Sequence, residues 1–199
     1  MIMQNLVGIL NRHGFKASYF DAPEAALDYL KAEISGVTVG MGGSMTIKEL
    51  GLYEVLGENN TIHWHWQNAA PDTLAQAMLA DVYISSANAV SMAGEIVNID
   101  ATGNRVASLA YGPNRKKVFY VVGTNKIVEN LEQAIFRAKN TAAPLNAKRL
   151  DRKTPCAVKG DHCYKCNSPE RICRTTSIVT RPPASCEAHV VIINGDYGY

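Results

Sequence analysis

The sequence predicts an α/β fold with three layers, a mostly parallel sheet between helices on both faces. Two observations carry that expectation. Short apolar runs at 37–39, 82–84, 118–122 and 189–193 are bounded by Gly, Ser, Asn or charged residues, and the windows between them repeat their apolar positions at helical spacing. Strands this apolar need cover on both faces, which is what crossover helices supply. A length of 199 residues suits a single domain. It divides into a body at 1–150, a Cys-rich loop at 151–188 and a returning strand at 189–199.

Ile2, Leu6, Val7 and Leu10 share one helical face, and Gly14 is placed to end that helix. Asp21 with Glu24 three residues on reads as a capping box for a helix over 25–32. A strand at 37–39 runs into Gly40-Met-Gly42-Gly43-Ser44-Met-Thr46 and then a helix. The alternation in Thr61-Ile-His63-Trp64-His65-Trp66 predicts a strand with both His on one face. A helix at 73–80 precedes the strand at 82–84. Residues 89–92 and 95–99 pair as a hairpin around Ala93-Gly94. A helix over 103–111 stops at Gly112-Pro113, and after the strand at 118–122 an amphipathic helix covers 127–139 with Asn125 as its cap.

Composition excludes several classes. Apolar residues are 47% and charged residues 19%, which rules out disorder. Lys plus Arg is 20 against 18 for Asp plus Glu, so nothing favours nucleic acid or an anionic membrane as partner. No apolar run is long enough to span a bilayer, and the N-terminus lacks the basic n-region of a signal peptide, so the expected address is the cytoplasm. Charge does change along the chain. Residues 146–199 hold nine Lys/Arg against five Asp/Glu, and the remainder eleven against thirteen. All five cysteines fall within that basic tail.

In doubly wound sheets ligands bind beyond the carboxyl ends of the strands. That rule selects the loops 40–46, 85–88 and 123–126. Gly42, Gly43, Ser44 and Thr46 open a helix and read either as an anion cradle or as a tight turn capped by Ser44. Their spacing is neither a P-loop nor a dinucleotide fingerprint, so no nucleotide cofactor is evident. Asn88, Asn98, Asp100, Asn104 and Arg105 crowd a hairpin–helix corner. They form either a small-anion site with Arg105 as a bidentate clamp or a hydrogen-bonded corner. Glu95 on the same hairpin is the carboxylate placed to act as base or nucleophile. Lys126 stands at a strand's carboxyl end as a further contact to a phosphate or carboxylate. The expected ligand is therefore a small anion.

Cys156, Cys163, Cys166 and Cys173 are spaced by seven, three and seven positions. Two thiolates a single turn apart, completed by two outer ones, can hold tetrahedral zinc or a 4Fe–4S cluster. Free thiols are the alternative. Cys186 stands outside the pattern.

The runs Asn98-Ile-Asp100-Ala-Thr-Gly103-Asn104-Arg105, Gly123-Thr-Asn125-Lys126, Ala143-Pro-Leu-Asn-Ala-Lys-Arg149, Pro155-Cys156 and Cys163-x-x-Cys166-Asn-Ser-Pro-Glu-Arg-Ile-Cys173 resemble the lactate-utilisation (LUD) domain family, which includes the LutC and YkgG-type proteins. The resemblance implies a fold like ribose-5-phosphate isomerase and the CoA transferases. It also implies an accessory or electron-transfer role in bacterial oxidation of lactate to pyruvate, beside partner proteins that carry iron–sulfur clusters. The longer LutB-type members add ferredoxin-like cysteine runs that this chain lacks, so a complete electron-transfer oxidoreductase is not expected. The alternative is a stand-alone enzyme on a small anionic substrate. The CoA transferases of this fold use a Glu nucleophile, which directs attention to Glu95. A homo-oligomer is left open.

Overall fold

The computed structural model describes residues 1–199. α1 (Ile2–Arg12) buries Leu6 and Leu10, and Gly14, at φ +97°, turns the chain into β1 (Lys16–Phe20). Next come α2 (Pro23–Glu33), β2 (Thr38–Met41), α3 (Met45–Glu49), α4 (Leu52–Gly57), β3 (Thr61–Trp64), α5 (Thr73–Leu79) and β4 (Val82–Ser85). The hairpin β5 (Ala89–Ser91) and β6 (Ile96–Asp100) leads into α6 (Asn104–Ala110) and β7 (Lys117–Gly123). A 3-10 turn at Thr124–Lys126 connects to β8 (Ile127–Val128), α7 (Leu131–Arg137), a π turn at Ala138–Ala142 and α8 (Ala143–Arg149). α9 (Pro155–Lys159), β9 (Thr175–Val179) and β10 (Glu187–Ile193) complete the chain.

Six strands form one sheet in the order β1-β10-β7-β4-β2-β3, every pair parallel. Alternate residues of its central strands supply the two cores. Val118, Tyr120 and Val122 of β7 join Val190 and Ile192 of β10 against Leu6 and Leu10 of α1. Phe119 and Val121 join Val191 and Ile193 against α2 and α4 through Leu30, Leu52 and Leu56. Each fully buried aliphatic side chain contributes about 1.5–3 kcal/mol relative to exposure. This two-sided burial is what makes β7 and β10 legible as unbroken apolar runs.

The hairpin belongs to a second sheet, ordered β8-β5-β6-β9, with β5–β8 parallel and the other pairs antiparallel. Its strands pair Ala89↔Val97 and Val90↔Ile96, so the hairpin forms as expected but closes through a three-residue loop, Met92-Ala93-Gly94, rather than a two-residue turn. No helix is long and apolar enough to cross a membrane.

Several expectations need correction. β1 and β9 carry no apolar run, because each is an edge strand and β9 is largely exposed. The segment 151–188 is thus not only a loop: it contains α9 and β9. The Asp21–Glu24 capping box does not form. Ala22 is the N-cap and Pro23 takes the first turn, where a missing N–H costs nothing. Asn130, not Asn125, caps α7, by accepting from the Gln133 amide at 3.0 Å. Residues 127–128 pair with β5 before that helix begins. β3 ends at Trp64, so the two-by-two alternation of His and Trp stops there, and Trp66 folds back to stack on Trp64 at 5.4 Å.

Candidate functional site

The three loops at the carboxyl edge of the parallel sheet meet at one cavity of about 50 Å³. Gly43 and Ser44 follow β2, Ser86, Ala87 and Asn88 follow β4, and Lys126 follows β7. Arg105 enters from α6, and Asn146 and Tyr199 close the far side. On a scale of about 10–15 Å³ per water this is room for a few waters, or for a small acid. Gly43, Trp66 and Arg105 also line an adjoining vestibule of about 240 Å³, with Asp100, Asn104, Arg149 and Arg152.

Lys126 is 2% exposed. Its ammonium nitrogen lies 2.7 Å from Thr46 Oγ1 and 3.0 Å from Ser86 Oγ. Each hydroxyl donates its own proton to a backbone carbonyl, Thr46 to Tyr197 at 2.8 Å and Ser86 to Ala87 at 3.3 Å. Both are therefore placed to accept from the lysine. Burial, with Arg137 and Arg105 nearby, brings the Lys126 pKa down to about 7 against a weaker opposing pull from Glu49.

Arg105 is placed differently from the expected clamp. Nη1 donates to the Ser86 carbonyl at 3.2 Å and Asn98 Oδ1 at 2.8 Å, and Nη2 to the Ile99 carbonyl at 2.7 Å and Asn88 Oδ1 at 3.4 Å. All four terminal N–H groups are thus committed within the protein, and a bidentate grip on a ligand is not available without breaking them. The guanidinium acts instead as a fixed positive charge that aligns the corner. Burial lowers its pKa.

Asn88 and Asn146 are oriented by what they accept. Asn88 Oδ1 takes the Ile99 amide at 2.7 Å as well as Arg105. Asn146 Oδ1 takes Arg149 Nε at 3.0 Å, Arg149 Nη2 at 2.8 Å and the Tyr199 hydroxyl at 3.1 Å. Since an arginine can only donate, the oxygen end of each amide is assigned and the NH₂ end is left for the cavity. Arg137 adds a third cation beside Asn88, donating to the Asn88 carbonyl and to the Asn125 carbonyl at 3.1 Å. Neither Arg105, Lys126 nor Arg137 forms a salt bridge to a carboxylate.

The remaining predicted residues fall around this cavity. Ser44 lines it and caps α3, accepting from the Ile47 amide at 3.3 Å. α3 has only five residues, so it offers little dipole. Gly42 lies behind the wall: a Cβ there would stand 2.7 Å from Ser85 Oγ and 3.0 Å from Arg105 Cγ, so glycine lets the loop pass the arginine. Asn98 is buried under Arg105 and does not reach the cavity. Asp100 caps α6 through the Arg105 and Val106 amides at 3.0 and 3.1 Å, which Gly103 at φ +87° permits by turning the chain. Asn104 lines the vestibule only.

Glu95 is not part of the cleft, contrary to its expected role. It sits in the hairpin turn hydrogen-bonded to Ser91, at the opposite end of β6 from Arg105. That turn packs on α1, where a Cβ on Gly94 would lie 2.9 Å from His13. Sequence reasoning missed Arg137, Ser86 and Asn146. Ser86 and Asn146 lay within runs already singled out, but nothing in a linear sequence marks which amides are oriented by arginines.

The four cysteines are free thiols. Cys173 accepts from Arg171 Nη2 at 3.3 Å, and Cys173, Cys166 and Cys163 together raise the Arg171 pKa. Cys156 stands apart beside Thr154 and packs near Ala157 and Ile172. No group of three or more His, Cys, Asp or Glu side chains is arranged to hold a metal ion. As placed, the thiols are not gathered into one coordination shell, and the Arg171 guanidinium beside them also donates to the Cys166 carbonyl at 3.0 Å.

A family model described as LUD domain matches residues 3–193. A crystal structure of a DUF162 family protein from Deinococcus radiodurans is similar over 98% of this chain and 96% of that chain, with a TM-score of 0.54 and 13% identity. At that identity the likeness is one of fold, and it agrees with the three-layer α/β arrangement around a parallel sheet. No curated protein matches the chain.

Proposed function

Because the chain belongs to the LUD domain family, we propose that it is a small-anion-binding component of lactate oxidation to pyruvate, working beside other lactate-utilisation proteins. One observation carries the reading: the polar side chains Lys126, Asn88 and Asn146 that face the cavity have donors to offer, while their acceptors are taken up by the protein. Such a receptor selects an anion, and the cavity's size selects a small one. A carboxylate or phosphate head group would accept from the Lys126 ammonium and the two amides, with Arg105 and Arg137 setting the potential. The vestibule leaves space for the rest of a larger acid.

The test is calorimetric titration of the protein with lactate, pyruvate and inorganic phosphate. A Lys126→Met variant should lose about tenfold or more in affinity, since a hydrogen bond to a charged group contributes about 1.5–3 kcal/mol. Equal affinity in the variant would overturn the reading.

We also propose that Cys156, Cys163, Cys166 and Cys173 take up zinc or a 4Fe–4S cluster. The support is the spacing, with Arg171 bonded to Cys173 Sγ at 3.3 Å and to the Cys166 carbonyl at 3.0 Å. A metal would have to displace Arg171 and draw in Cys156.

A further inference from the structure

We propose that Lys126 is a nucleophile that forms an imine with a 2-oxo acid held in the cavity. This names the substrate class of the same site and rests on the anion-binding reading for the acid's carboxylate.

The geometry begins at the nitrogen. A lysine nitrogen has one carbon and three further tetrahedral positions. Thr46 Oγ1 at 2.7 Å and Ser86 Oγ at 3.0 Å occupy two of them. Both hydroxyls can accept, because each has a backbone carbonyl within reach of its own proton, that of Tyr197 for Thr46 and that of Ala87 for Ser86. In the neutral amine the two N–H groups satisfy those hydroxyls, and the lone pair is left at the third position of a residue that lines the cavity. A lysine used only as a countercharge would gain from a carboxylate partner. This one has none in its shell and is buried against two arginines, conditions that favour the free amine near neutral pH. The Asn88 and Asn146 amides line the same cavity as the amine and are the donors for a carboxylate. A 2-oxo acid carries its carbonyl on the next atom, so a carboxylate held there leaves the carbonyl carbon toward the amine.

The step balances without a co-reactant. The amine lone pair forms the C–N bond to the carbonyl carbon as the C=O π pair moves to oxygen. The two N–H protons then leave with that oxygen as water, giving the imine and its reversal by hydrolysis. No oxidant or reductant takes part.

Trapping tests this. The full chain is incubated with pyruvate as the probe and sodium cyanoborohydride, then analysed by intact mass and peptide mapping. The expected result is a mass gain of one pyruvic acid less one oxygen, mapped to Lys126. Labelling should be at least about tenfold greater there than at the exposed Lys48, since an ordinary lysine is almost entirely protonated at pH 7. Lactate, which has no carbonyl, should compete. Labelling in the wild type is mapped directly, so the result stands even if Lys126→Arg folds poorly; where that variant folds, the adduct should vanish. Competition or calorimetric binding by lactate without any adduct at Lys126 overturns the imine and leaves the anion site standing. Adducts spread evenly over surface lysines overturn it as well. Neither binding nor adduct removes both.

Discussion

Lys126 and Thr46 are joined by a 2.7 Å hydrogen bond across 80 residues of sequence, and the threonine's own proton is directed away, to the Tyr197 carbonyl. The pair ties the loop after β7 to the first turn of α3. It also holds a buried amine beside two arginines with no carboxylate bonded to it.

Anion binding should depend on pH through Lys126. With its pKa brought down to about 7, by burial first and by Arg137 and Arg105 next, the free site loses its ammonium just above neutrality. Affinity for phosphate-free probes such as lactate should be flat below about 7 and fall above it, approaching about tenfold per pH unit until the pKa of the complex stops mattering. Calorimetry between pH 6 and about 9 measures the slope. A flat profile would place the ammonium outside the binding contact.

Stability should show the same group with the opposite trend. The folded pKa lies below the unfolded value of 10.5, so between about 7 and 10.5 the unfolded chain binds more protons and stability rises with pH. Lys126→Met should remove that rise. It should also make the ligand-free protein more stable than wild type near pH 7, by on the order of a few kcal/mol. Thr46 and Ser86 keep their bonds to carbonyls in the variant, so no orphan is created. Urea denaturation of both proteins at several pH values isolates the difference.

Arg105→Ala should damage the corner more than it damages a ligand contact. It strips four acceptors, the Ser86 and Ile99 carbonyls and the amide oxygens of Asn98 and Asn88, of a shared donor. A loss of about 2–4 kcal/mol in unfolding free energy is expected. Loss of anion affinity without loss of stability would mean that the guanidinium is a direct clamp after all.

Glu95→Gln should leave anion affinity unchanged within about twofold, because the residue sits at the far end of the hairpin, bonded to Ser91. Titration with lactate checks this, and a tenfold loss would return Glu95 to the cleft.

Anaerobically purified protein should contain zinc or iron in stoichiometric amount if the cysteines bind metal, and Arg171→Ala, which removes the guanidinium bonded to Cys173, should raise that content. Elemental analysis decides. Metal absent from both proteins would leave the four as free thiols.

Much of this protein was written in local pattern. β7 and β10 are apolar on both faces because helices cover both, so their burial is visible in any linear reading. The hairpin announces itself through its turn at Ala93-Gly94 and its alternation. The convergence of the loops after β2, β4 and β7 on one cavity was also legible, since in a parallel sheet these loops all emerge at the carboxyl edge. The roles inside the cavity were decided only by tertiary structure. Arg105 reads as a clamp until four acceptors from two segments are seen to consume its N–H groups. Glu95 reads as a nucleophile until its turn is seen against α1. Lys126 reads as one more cation until Thr46 and Ser86 enclose it. Periodicity reports which face of an element is buried. It carries no information about which donors and acceptors, dozens of residues apart, will find one another, and those pairings set a side chain's charge and free valence.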